Sequence, residues 1–132
     1  MVNIFLVLAM AGFAQAQESE QMHSSSPAMA MQHSTMSLTD KYWQAVKKSL
    51  AAGDFKKTGR SLGQMQKAIA GLERFKPHKN AERMEEFREQ ARTFKANLSE
   101  LDRVVKGQDK VQTESLAAKI DNSCLECHRV FR

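Results

Sequence analysis

The sequence predicts an all-α protein, an antiparallel up-down-up-down four-helix bundle. Its 132 residues hold only six Gly, two Pro, one Tyr and one Trp, and the abundance of Ala, Lys, Glu, Gln and Leu favours helix. No alternating run rich in Val, Ile or Thr suggests a strand. Breakers at Gly53, Pro77 and Gly107 divide the last hundred residues into four stretches, with connections short enough to make successive helices antiparallel neighbours. One stretch carries an unbroken apolar seam.

The elements follow in order. Val2 to Ala11 are almost wholly apolar, too few to span a bilayer, and they run into Ala14-Gln15-Ala16, a small-x-small cleavage pattern. Residues 1–16 are therefore expected to be a secretory signal peptide, although no Lys or Arg precedes Lys41. Residues 17–37 are polar, uncharged between Glu20 and Asp40 and rich in Met, His and Ser, a composition expected of a flexible tether. Ser37, with Asp40 three residues on, predicts the cap of the first helix, which should run from Leu38 to Ala52 and stop at Gly53. Asp54 caps the second helix, with Phe55, Leu62, Met65, Ile69 and Leu72 on one stripe, and Pro77 ends it near Phe75. Asn80 caps the third. There Met84, Phe87, Ala91, Phe94, Leu98, Leu101 and Val105 step alternately by three and four, the seam of a helix packed at a small crossing angle. Asp109 and Gln112 open the fourth helix, with Leu116, Ile120, Cys124, Cys127 and Phe131 inward.

Residues 38–132 thus form the bundle, a small core that would gain from a large apolar insert. The net charge of +5 is modest and suits an acidic partner or a solvated surface. No nucleic-acid module is present, and no stable membrane span remains once the signal is cleaved.

The chemistry lies in Cys124-Leu125-Glu126-Cys127-His128, the attachment motif of c-type haem. Residues i and i+3 share a helix face, so both thiols can add across the two vinyl groups on one porphyrin edge. His128 then lies beneath the ring with a nitrogen aimed at the iron. A thioredoxin-like pair would need a βαβ setting and would open a helix rather than close one. A zinc site would need a second pair of ligands, and only His23, His33 and His78 remain. One covalent haem c is expected, with His128 as the proximal iron ligand.

A four-helix bundle with this motif in its last helix resembles the class II cytochromes c, cytochrome c-prime and cytochrome c-556. Asp121-Asn122-Ser123-Cys124-Leu125-Glu126-Cys127-His128-Arg129-Val130-Phe131-Arg132 looks like that family's ending. The resemblance spans residues 38–132, is specific at the last helix and is architectural elsewhere. It implies a periplasmic haem protein. Low-spin members carry electrons with a Met from the first helix as sixth ligand. The c-prime members leave that site open and bind gases such as NO.

Helix rise locates the cofactor. The motif lies about 24 Å along the fourth helix from Asp109, and Leu38 about 21 Å along the first from Ala52. Leu38, Tyr42, Ile69, Leu72 and Phe87 are thereby expected to line the haem pocket. No Met lies within residues 38–52, which departs from the c-556 pattern. Met36 is the best-placed substitute as a distal ligand, but a hydrophobic staple on the helix start is the simpler role for it, so the distal site is expected to be apolar or weakly ligated.

The expected function is periplasmic electron transfer by a mono-haem cytochrome, not an enzyme, with redox proteins as partners and a homodimer allowed. The alternative is a five-coordinate protein that binds NO or CO. A third reading makes the Met/His tether (Met22, His23, Met29, Met31, His33, Met36) a soft-metal module suited to copper.

Overall fold

The structure is a computed structural model and describes residues 26–132. The expected signal peptide and the first part of the expected tether lie outside the described residues. Four α-helices and two short 3-10 turns make up the fold, with no strand among the described residues. The helices are α1 (Pro27–Ala51), α2 (Phe55–Ala68), α3 (Met84–Lys106) and α4 (Lys110–Phe131). The arrangement is that of a four-helix bundle.

The largest departure from expectation is the start of α1. Ser26, not Ser37, is the cap: its hydroxyl accepts from the Met29 N–H at 3.1 Å, and Pro27 occupies the first turn. A serine cap followed by proline is a strong start signal, and the Ala, Met and Gln residues behind it are good helix formers. Residues 27–37 are therefore helix rather than tether, which makes α1 25 residues long. Its inward stripe alternates apolar and polar residues: Gln32, Met36, Thr39, Trp43, Val46 and Ser49. The hydroxyls make this burial tolerable by bonding back to their own helix. Thr39 donates to the Thr35 carbonyl at 2.7 Å and Ser49 to the Ala45 carbonyl at 2.9 Å, with the Thr58 hydroxyl of α2 2.8 Å from Ser49.

The turn into α2 matches expectation. Gly53 takes φ 69°, a left-handed geometry open to glycine, and the Asp54 carboxylate accepts from the Lys57 N–H at 2.8 Å. Helix α2 ends at Ala68, earlier than Pro77 alone would dictate, and a 3-10 turn, Leu72–Arg74, continues the chain. Ile69 and Leu72 remain in the core. Lys95 of α3 clasps this segment, with Nζ 2.8 Å from Glu73 and 3.1 Å from the Ala70 carbonyl.

Asn80 does not cap α3. It adopts φ 53° before a second 3-10 turn, Ala81–Arg83, and its side-chain amide donates instead to the Val130 carbonyl at 2.6 Å. The α3 seam is buried from Phe87 to Val105, with Met84 half-buried at its start. Helix α3 ends beside Gly107, but the left-handed residue is Gln108, at φ 56°. Asp109 then caps α4 through the Gln112 N–H at 3.0 Å.

The core joins Trp43 and Val46 of α1, Leu62, Met65, Ile69 and Leu72 from α2 and its extension, the α3 seam, and Ile120 of α4. Consecutive helices pack closely, whereas α1 and α4 are bridged by side chains. Trp43 Nε1 donates to Asp121 at 2.7 Å, and Lys47 Nζ lies 3.4 Å from the same carboxylate. Above this bridge an open cavity of about 640 Å3 separates the two helices, lined by Leu50, Phe55, Thr113 and Ala117 among others.

Candidate haem-attachment site

The motif occupies the last two turns of α4. Cys124 and Cys127, three residues apart and therefore on one face, are both half-buried and unbridged. Cys124 packs against the hydrophobic core. Burial pushes its thiol up to about 11, reinforced by the negative charge of Asp121. Burial also raises Cys127. Both sulfurs are therefore protonated at neutral pH. In this they are unlike the electropositive pair of a disulfide oxidoreductase.

His128 lies one turn beyond Cys124 and is half-buried. Burial lowers its pKa, the Arg132 charge lowers it further, and Asp40 of α1 opposes the change. The imidazole is thus neutral at pH 7, and a neutral ring nitrogen is what a metal ligand requires. Asp40 acts on Cys124 as well, so this part of α1 lies opposite the motif.

The other expected lining residues divide into two groups. Tyr42 and Met36 pack against the core, and Ile69, Leu72 and Phe87 are buried. Phe87 meets the Phe131 ring edge-on at 5.4 Å, which places it beside the last turn of α4. Leu38 is the exposed member of the set. It is 39% exposed, because a helix begun at Pro27 turns Met36 and Thr39 inward and leaves Leu38 off that stripe.

Two juxtapositions had no signal in the sequence. The Trp43–Asp121 bond joins residues 78 apart. His33 of α1 and His78, in the connection between α2 and α3, have ring centres 5.3 Å apart.

This donor set fits a covalently held haem: two protonated sulfurs on one helix face against the core, and a neutral imidazole one turn on. No group of three or more His, Cys, Asp or Glu suited to holding a metal ion is present among the described residues. The site and fold are those expected of a helical c-type cytochrome. Residues 81–132, which include α3 and α4, match the family model described as Cytochrome C'. That match supports the resemblance to the class II cytochromes c. No curated protein and no solved structure matches the chain.

Proposed function

We propose that this protein is a periplasmic electron carrier that would hold one haem c through Cys124 and Cys127, with His128 and Met36 as the residues that would bind its iron. The observation that carries this reading is the position of Met36 within α1. Trp43 bonds Asp121. Ten residues back along α1, His33 stacks on His78, whose N–H donates to the carbonyl of Phe131, ten residues forward along α4. These two ties support an antiparallel α1–α4 pair with matched rise. On that register Met36, seven residues before Trp43, stands level with His128, seven after Asp121, about 10 Å from the bridge along each helix.

The expectation of an apolar distal site rested on a first helix that began at Leu38. With the start at Pro27, Met36 lies in the third turn of α1, its backbone is ordered by the helix, and its side chain is packed against the core. Ligation then costs little further side-chain ordering. A bound haem iron would exchange one electron between its ferric and ferrous forms. The chain's own residues do the remainder: the thiols anchor, the neutral His128 presents its lone pair, and Ile69, Leu72 and Tyr42 exclude water, which tunes the potential. Export by the residue 1–16 signal fits this assignment, as do redox-protein partners. Among the described residues no catalytic acid, base or nucleophile is arranged for substrate chemistry.

Absorption spectra of reduced protein with and without CO test the assignment. Wild type should be low-spin and slow to take up CO, and Met36→Ala should be high-spin and bind CO readily. A wild type that is already high-spin and CO-reactive would instead establish the gas-binding alternative.

A further inference from the structure

The charge of the chain is unevenly placed. Between Asp40 and Lys67 seven Lys and Arg stand against two Asp, a surplus that equals the +5 of the whole chain. This stretch is the second half of α1, the turn at Gly53 and nearly all of α2, and α2 contains no acidic residue. Lys41, Lys48, Lys56, Lys57, Arg60 and Lys67 are all exposed. Among the described residues only Lys47 of the seven is in an ion pair, with Asp121. Helix α3 is the opposite case: each of its cations, Arg88, Arg92, Lys95, Arg103 and Lys106, is paired with a carboxylate. A helix face that serves only solvation carries alternating signs, as α3 does. Like charges four residues apart, such as Lys56 and Arg60, destabilise their helix, so the unneutralised stripe points to a partner that supplies the missing negative charge.

The cations share one side of the hairpin. Lys56, Arg60 and Lys67 step by four and seven, on the side of α2 away from buried Thr58, Leu62 and Met65. Lys41 and Lys48 are turned away from buried Thr39 and Val46 of α1. The Ser49–Thr58 hydroxyl contact of 2.8 Å ties the two helices near their turn. On an antiparallel register Lys41, eight residues back from Ser49, stands level with Lys67, nine on from Thr58. The two rows then form one patch, and its chemistry selects the occupant. A membrane-surface helix sets large apolar side chains beside its cations, but the exposed large hydrophobics Met31, Leu38, Val111 and Leu125 all lie outside residues 41–67. A second copy seated by the same patch would set like charge against like. The acidic face of a folded protein meets neither objection.

We propose that the outer face of α1 and α2 is the docking surface for an acidic redox protein that exchanges single electrons with the haem, an inference that rests on the electron-carrier reading above. Lys41 and Lys67 adjoin Tyr42 and Ile69, which that reading assigns to the pocket wall, so a docked partner lies one helix diameter, about 10 Å, from it. One electron passes between the partner's centre and the iron, with no bond made or broken.

Plant-type ferredoxin, an acidic one-electron protein, is the probe, used with the haem-loaded protein. At low salt the oxidised probe should bind wild type saturably in calorimetry, and high salt should abolish binding. Lys56→Gln/Arg60→Gln/Lys67→Gln should weaken binding about tenfold or more and slow reduction by reduced ferredoxin in proportion. Arg88→Gln/Arg103→Gln/Lys119→Gln removes the same charge from α3 and α4 and should stay within about twofold of wild type. Circular dichroism should show both variants folded, since all six side chains are exposed. Equal weakening by the two variants, or none by the first, would overturn the proposal. So would stripe-dependent sedimentation with phosphatidylglycerol vesicles without stripe-dependent ferredoxin binding, which would assign the patch to a membrane. Lumiflavin semiquinone, a small neutral donor, tests the electron-carrier reading separately. A haem that it cannot reduce defeats that reading and the redox role of the partner, even where ferredoxin binds through the stripe.

Discussion

Helices α2 and α3 sharply separate an apolar stripe from a charged outer face, whereas α1 and α4 mix polar residues into their inward sides. The middle pair supplies Leu62, Met65, Phe94, Leu98, Leu101 and Val105 to the core, with Thr58 and Ser61 of α2 as its buried polar residues. The outer pair buries Gln32, Thr39, Ser49 and Thr113 and leaves both cysteines and His128 half-exposed. The difference follows from what each pair faces. A helix packed on other helices gains most from a continuous apolar face. A helix beside a cofactor must keep room and donors along the same stripe. On the proposed function, the apolar core lies mainly in the middle pair and the haem chemistry would lie in the outer one.

The sharpest break of that comparison is at the motif. Cys124→Ala/Cys127→Ala should lose all haem to acid acetone after export with the maturation machinery, while the circular-dichroism signal of α2 and α3 persists. Haem retained on denaturing gels would dissociate the cysteines from the chemistry. The converse substitution lies in the middle pair. Phe94→Ala empties a buried aromatic position and should cost about 3–5 kcal/mol in denaturant unfolding, the usual range for such a site. Haem should nevertheless stay covalently attached. A change below about 1 kcal/mol would mean that the seam does not carry the core.

The smallest effect concerns the outer pair alone. Ser26→Ala removes the hydroxyl that caps α1 and should cost about 1 kcal/mol. Amide exchange should accelerate in residues 27–37 and stay unchanged in residues 84–105. Unaltered protection in residues 27–37 would show that tertiary packing, and not the cap, holds those turns.

Sequence reading succeeded best where a local pattern has one physical solution. The α3 seam, the Asp54 and Asp109 caps and the left-handed Gly53 all depend on residues within a turn of each other. It failed at the start of α1. Two serine start signals, Ser26 before Pro27 and Ser37 before Leu38, compete there, and the buried stripe between them is disguised by Gln32 and Thr39. It failed again at Asn80, whose amide serves α4 rather than its own helix, a choice that no local rule contains.

The sequence by itself determined that there are four helical segments in the described residues and that Cys124, Cys127 and His128 lie together on the last of them. Backbone propensity, capping and the i, i+3, i+4 geometry of one helix are all local. Only the tertiary structure decided which residues stand opposite that motif. The Trp43–Asp121 bond sets the height of Met36, and the end of α4 holds His78 against His33, so both depend on the packing of elements remote in the chain. A side chain's distance from a remote partner is set by the sum of all packed elements between them, and no pattern within one segment encodes it.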